Sequence, residues 1–153
     1  MDIRGFKSND AEILSSMIRK CLVTINNKDY SKKVISKMCN KFSPQNIIRL
    51  SRTRRIYVAV EKLKLIGTAS LEKNRILSVF VEPDLHKQGI GRKLVKHLEI
   101  TAIKEGYNKI EIPSNITAVK FNKNVRTSKT KALAYWMLLV ASTSDDCVDM
   151  TYK

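Results

Sequence analysis

The chain has 153 residues, 43% of them hydrophobic and 28% charged, a balance that suits one soluble domain with a conventional core. Its 29 Lys and Arg against 14 Asp and Glu leave a net charge of +15, densest at Arg49, Arg52, Arg54 and Arg55. Three cysteines, Cys21, Cys39 and Cys147, are odd in number and lack a CxxC pair, which argues against a disulfide framework or a zinc site and for a reducing cytoplasm.

No apolar run follows Met1 to Gly5, so a signal peptide is not expected there, and the longest apolar stretch, Ala132 to Ala141, is too short to cross a bilayer. The basic residues lack the interleaved aromatics of single-strand binders, so they read as a solvated face. A nucleic-acid-binding module survives only as the reading that charge alone supports, and neither a membrane nor a metal is expected.

Met1 to Phe6 reads as a first strand. Ser8, Asn9 and Asp10 then offer an N-cap, and Ile13, Met17, Ile18, Cys21 and Leu22 recur at helical spacing. A second helical region starts at Ser31, with Val34, Ile35 and Met38 on its apolar side, and Ser43-Pro44 restarts it before Ile47, Ile48 and Leu50. Three β-branched and aromatic runs follow: Ile56 to Val60, Leu65 to Leu71, and Ile76 to Val81. The short polar turns between them predict an antiparallel meander.

Beyond Val81 the pattern changes. Glu82-Pro83-Asp84-Leu85 leads into the basic turn His86-Lys87-Gln88, then Gly89-Ile90-Gly91 opens an amphipathic helix running from about Ile90 to Lys104. Leu94, Val95, Leu98, Ala102 and Ile103 share one face of that helix, and Gly106 is a natural stop. Two glycines let the backbone turn sharply and approach a ligand, while the helix start supplies free N–H groups and the positive end of a dipole. Strand, proline, basic turn, GxG and helix in that order make an anion site, most naturally one for phosphate. A dinucleotide fingerprint would need a third glycine where Leu94 stands.

Lys109 to Pro113 predicts a further strand, and a strand–helix–strand unit of this length favours a parallel pairing with the strand that ends at Val81. Asn115 can cap a helix through Val119 and Phe121. Residues 132–153 read as a final antiparallel hairpin.

The segment Val79 to Leu94 resembles the acetyl-CoA-binding motif of the GNAT superfamily of N-acetyltransferases. There a strand ends in V-x-P, here Val81-Glu82-Pro83, and is followed by Gln or Arg, two residues and a Gly-x-Gly, here Gly89-Ile90-Gly91. His86 stands where that pattern has Gln or Arg. The element order βααβββαβα is also that of the superfamily, and the resemblance covers about residues 1–122.

It implies a mixed α/β fold: a mostly antiparallel sheet of about six to seven strands, flanked by helices, with a splayed parallel pair. The whole of 1–153 would then be a single domain with an atypical hairpin at 123–153, and a homodimer would be an admissible assembly. Acetyl-CoA would lie in the splay. Backbone of Val79, Phe80 and Val81 would meet its pantetheine, and His86, Lys87, Gln88, Gly89, Ile90, Gly91 and Arg92 its pyrophosphate, with Asn115 touching it from the next helix.

The implied reaction is direct attack of a primary amine, of a small molecule or peptide, on the acetyl thioester. It requires a base and donors for the developing oxyanion. Glu111, on the strand flanking the splay, is the first candidate base, and Glu82 the second. The superfamily often has Tyr after the Phe of the following helix; here Phe121 precedes Asn122, which cannot lend a proton to a thiolate. His86 and Asn122 therefore motivate the alternative of a CoA-binding protein with little or no catalysis.

Overall fold

A computed structural model describes residues 1–25 and 31–112. Strands β1 (Asp2–Gly5), β2 (Arg55–Glu61), β3 (Lys64–Glu72) and β4 (Arg75–Val81) form an antiparallel sheet in the order β1-β2-β3-β4. Helices α1 (Ala11–Ile25), α2 (Lys32–Lys41) and α3 (Pro44–Leu50) precede β2, and α4 (Ile90–Lys104) follows β4. The meander thus forms as its sequence predicts. Its first hairpin turns through Lys62 and Leu63, both at positive φ (47° and 65°), as a right-twisted two-residue turn requires.

The two-residue alternation of the strands splits the core into two layers. Ala59, Ile66, Ala69, Leu71, Ile76, Val79 and Val81 face α4 and pack on its Ile90, Leu94, Val95, Leu98 and Ala102. Val58 and Phe80 face the other way, onto Leu14, Ile18, Leu22, Met38, Phe42 and Ile47 of the α1–α3 layer. The Phe42 and Phe80 rings meet edge to face at 5.2 Å, and Ser15 Oγ donates to Phe42 O at 2.6 Å, which ties α1 to the end of α2.

Helix ends follow local chemistry. Ser31 and Ser43 cap α2 and α3 by accepting from the Val34 and Asn46 N–H groups. Beyond α4, Gly106 sits at φ 89°; its N–H reaches Ile103 O and that of Tyr107 reaches Ala102 O, the paired bonds of a left-handed helix stop.

The chain enters α1 through a 3₁₀ turn, Ser8–Asp10, in which the Asp10 carboxylate accepts from the Lys7 N–H at 2.7 Å, the reach-back half of a capping box. Both Arg4 guanidinium arms also reach it, at 2.7 and 2.8 Å, because β1 delivers Arg4 beside the turn. The Arg4 bond, chiefly, holds the Asp10 carboxyl below its ordinary pKa. Because the folded value is depressed, this stabilisation is present above the ordinary carboxylate range and is lost as the pH falls through the folded value. Asp10→Asn should cost about 1–2 kcal/mol at neutral pH, and the deficit should vanish once acid protonates Asp10. Urea melts of both proteins across the acid range measure it.

After α4 the chain returns to the sheet. Glu111 forms a parallel bridge with Arg75: the Ile76 N–H donates to Glu111 O at 2.8 Å, and the Glu111 N–H donates to Asn74 O at 2.9 Å. Among the described residues, Glu111 is the whole of the strand expected over 109–113, and the sheet has four strands. Asn115 and its helix, Asn122, and the hairpin at 132–153 lie outside the described residues.

Candidate active site

Strand β4 is not regular. Gly67 pairs with Val81 and Thr68 with Phe80, but Ser70 pairs with Leu77, so Ser78 and Val79 together oppose Ala69. This bulge places Ser78 at φ 51°, a conformation few non-glycine residues adopt. Above the bulge the ladder is fixed by the Glu82 N–H, which donates to Ile66 O at 3.0 Å. Backbone groups alternate along an antiparallel strand, so Phe80 directs its N–H and C=O to β3 while Val79 and Val81 direct theirs to the open edge.

Among the described residues that edge is bonded only at the Arg75 end, through Glu111. Of the three strand residues expected to meet a ligand, Val79 and the Val81 N–H therefore face that edge, whereas Phe80 is buried against Phe42 and Val81 O is already bonded within the protein.

The loop after β4 comes next. Pro83–Leu85 makes a 3₁₀ turn, and both Lys87 (φ 65°) and Gly89 (φ 78°) are left-handed. Gly89 is the N-cap of α4, with no side-chain capping bond and no acidic residue in the first turn. The helical bonds begin with the Lys93 N–H donating to Gly89 O at 3.0 Å, leaving the N–H groups of Ile90, Gly91 and Arg92 as the orphan donors of the helix start. A Cβ on Gly89 would meet no described residue within 4 Å, so the space beside this N-cap is open among the described residues. Lys87, Gln88 and Arg92 are exposed around it. The arrangement is a cationic backbone cradle of the size and charge a phosphate needs.

His86 takes a different place from the one its sequence position suggests. Its Nε2 lies 2.9 Å from Val81 O; a carbonyl only accepts, so Nε2 carries the proton of this bond. The ring closes the loop onto the strand end. Val81 O also accepts from Cys21 Sγ at 3.1 Å. Burial, and secondly the Glu82 charge, push the Cys21 thiol up to about 12, which removes it from consideration as a nucleophile near neutrality. Lys20, one residue earlier on α1, donates to Glu82 and, at 2.7 Å, to Asp84, so α1 holds the loop from the side.

The two candidate bases are not brought together. Glu82 sits just past Val81, beside the loop, with Lys20 as its partner. Glu111 sits opposite Arg75, at the other end of a strand whose seven residues span about 20 Å. Glu111 is exposed and lies 4.0 Å from Arg75 Nε and 3.6 Å from Lys109 Nζ.

Three contributors had little or no mark in the sequence. Lys20 reaches the site from 62 residues away, and Ser78 carries no bulge signature. Gly67 lies mid-strand, and a Cβ there would come within 3.0 Å of Leu94 Cδ1, 3.1 Å of Phe80 O and 3.3 Å of Ile90 Cγ2. A lone glycine inside a strand is the one readable hint that another element comes close.

Among the described residues no helix is long and apolar enough to cross a membrane, and no group of three or more His, Cys, Asp or Glu is placed to hold a metal ion.

No curated protein matches the chain significantly. Solved structures do. The PaiA N-acetyltransferase of Thermoplasma acidophilum, in complex with coenzyme A, superposes with a TM-score of 0.62 at 23% identity, over 69% of this chain and 73% of that one. A GCN5-related N-acetyltransferase of Rhodopseudomonas palustris gives 0.71 at 18% identity, over 78% and 76%. An aminoglycoside 6'-N-acetyltransferase complexed with coenzyme A gives 0.51 at 21%, over 69% and 57%. At such identities the likeness is one of fold. Residues 21–125 match the model of the acetyltransferase (GNAT) domain, about two thirds of the chain, from Cys21 on α1 past the cradle and the Glu111 bridge. The chain belongs to the GNAT acetyltransferase family.

Proposed function

We propose that the protein is an acetyl-CoA-dependent N-acetyltransferase, one domain over 1–153 working in the cytoplasm, that acetylates a primary amine of a small molecule or peptide. The observation that carries this reading is the edge of β4 above its bulge, which no described residue pairs, lying directly before the uncapped start of α4. An amide-rich, diphosphate-bearing chain suits that surface: Val79 and Val81 offer strand backbone, and the loop offers N–H donors and positive charge.

The roles divide accordingly. The N–H groups of Ile90, Gly91 and Arg92 bind the pyrophosphate, with Lys87, Gln88 and Arg92 side chains around it and Gly89 admitting it. His86 positions the loop through Val81 O. Asn115 supplies a further contact. Acetyl-CoA, once bound, brings the activated acetyl group as a thioester. The Val79 backbone N–H, on the open edge, is the donor for the developing oxyanion.

Glu82 is the base: it stands three residues, about 10 Å, along the strand from Val79 and takes the ammonium proton through bridging waters. Glu111, held between Arg75 and Lys109 at the far end, keeps the β4 partner strand in register. If Glu111 serves as base instead, the acceptor must enter from that end.

Lys20 engages Glu82, and this contact supports a second reading in which the protein binds acetyl-CoA but turns over little. Calorimetry with acetyl-CoA should give binding in the micromolar range, and none at all would end both readings. Thiol release with an amine panel separates them. Glu82→Gln should cut turnover about 100-fold with acetyl-CoA affinity unchanged, the scale of a lost general base. Unaltered turnover would move that role away from Glu82.

A further inference from the structure

Charge is unevenly shared along the fold. From Ser31 to Val60 the chain holds eight Lys and Arg and no Asp or Glu. The side-chain ion pairs of the described residues lie outside α2 and α3: Asp10 with Arg4, Glu82 and Asp84 with Lys20, Glu105 with Arg55, and Glu111 with Arg75 and Lys109. On α2, and at the end of α3, Lys32, Lys33, Lys37, Arg49 and Arg52 are exposed. None of the five has an ion pair among the described residues.

These cations form one band. Lys33, Lys37 and Asn40 are exposed and follow one another at helical spacing along α2. Asn46 Nδ2 donates to Asn40 O at 2.8 Å, which joins that face to α3, and Arg49 stands one turn beyond Asn46. The Arg52 N–H donates to Arg49 O at 3.2 Å, adding a further turn. At about 1.5 Å per residue each helix contributes roughly 10 Å, so the band matches about six residues of extended chain.

The band costs α2 local stability. Lys32 and Lys33 fill the first turn of the helix, at the positive end of its dipole, where acids are favoured and none occurs. Lys33, Lys37 and Lys41 recur every four residues, so like charges meet along the helix. Burial first, and the Lys37 charge second, lower the Lys41 pKa. A helix face made only for water would interleave its signs. One sign, kept against both the dipole and its own repulsion, suits a partner of the opposite sign.

We infer that the outer face of α2 and α3 docks an acidic segment of a partner protein, whose carboxylates pair with Lys33, Lys37, Arg49 and Arg52. The apolar side chains Ile35, Met38, Phe42 and Ile47 of this layer are buried, and its helices expose no large hydrophobic residue that could enter a membrane. With Phe42 buried, the face also lacks an aromatic platform for unpaired bases. Its cations fall below the roughly six to ten phosphate contacts of a typical duplex binder. The cradle belongs to α4, on the opposite face of the sheet, so docking leaves the cofactor site free. The inference stands whether or not the protein turns over acetyl-CoA.

Labelled hexaglutamate, followed by fluorescence anisotropy, is the probe. It should bind in the micromolar range at low salt and weaken steadily as salt screens the pairs. Lys33→Glu with Lys37→Glu should weaken it about 10- to 100-fold, and Arg49→Glu with Arg52→Glu by a similar factor. Lys33→Glu alone should also raise the Tm, since it puts an acid in the first turn of α2 and removes a repulsion from Lys37. Lys62 and Lys73 are exposed in the hairpin turns, and the same charge reversal there should change binding by less than about threefold. Equal losses at the hairpins would reduce the effect to net charge and overturn the assignment. Displacement of the peptide by acetyl-CoA would overturn it too, as would tighter binding of a mixed-sequence DNA duplex or of phosphatidylserine vesicles at the same salt.

Discussion

Gly89→Val should abolish measurable acetyl-CoA binding while leaving the protein folded. Gly89 stands at φ 78° in front of the orphan N–H groups of α4, and a Cβ on it meets no described residue within 4 Å. The fold therefore loses only backbone strain, about 1–3 kcal/mol for a β-branched residue in the left-handed region. The ligand loses far more, because the isopropyl group fills the space through which a phosphate oxygen reaches those donors. Two charge-assisted hydrogen bonds forfeited at about 2 kcal/mol each amount to roughly a 1,000-fold loss in affinity.

Gly89→Ala separates the two effects. It carries the strain of the left-handed residue with a single methyl group, so its Tm should fall nearly as far while its affinity falls much less. Calorimetry with acetyl-CoA, alongside thermal melts, reads both quantities. Affinity within threefold of the parent protein for Gly89→Val would show that no phosphate sits at this turn.

The cradle was legible because its chemistry is local. A proline, two glycines and the helical period of Leu94, Val95, Leu98 and Ala102 lie within one short stretch, and α4 runs from Ile90 to Lys104 as that period predicts. The strands of the meander were legible for the same reason: each alternation is contained in a few residues, and short polar turns separate them.

Features set by contacts between distant segments were not. The β4 bulge depends on how β3 registers on either side of Ala69, and nothing in Leu77-Ser78-Val79 encodes that. Asp10 binds back to Lys7 and to Arg4, which comes alongside on β1, a geometry the spacing of these residues leaves open. His86 reads as a donor to an anion, yet its Nε2 closes the loop onto Val81 O, since the 3₁₀ turn at Pro83–Leu85 folds the chain back within reach. Glu111 reads in the sequence as the first candidate base and Glu82 as the second. Only the parallel bridge at Arg75 places the first a strand's length away from the cradle.

Gly67→Val should destabilise the fold and weaken cofactor binding together, in contrast to Gly89→Val. Gly67 is opposite Val81, at the point where α4 begins to lie on the sheet. The Leu94 and Ile90 side chains press against it from α4, and Phe80 O from the adjoining strand. A methyl group requires these neighbours to yield by a few tenths of an ångström, which Leu94 can do by rotating. Valine adds two more carbons where the nearest polar neighbour is a backbone carbonyl, and a carbonyl locked in a ladder cannot rotate away. The helix start must then rise from β3 and β4.

Overpacking of this kind costs about 1–3 kcal/mol, to which an interior position adds little relief. The same displacement carries the Ile90, Gly91 and Arg92 N–H groups away from the Val79 and Val81 edge, two halves of one binding surface. Affinity for acetyl-CoA should therefore fall at least tenfold even well below the melting temperature, and Gly67→Ala should show both effects in reduced form. Melting curves and calorimetry at low temperature test the coupling. Normal affinity in a destabilised Gly67→Val would mean that the helix start and the strand edge do not act on the same ligand.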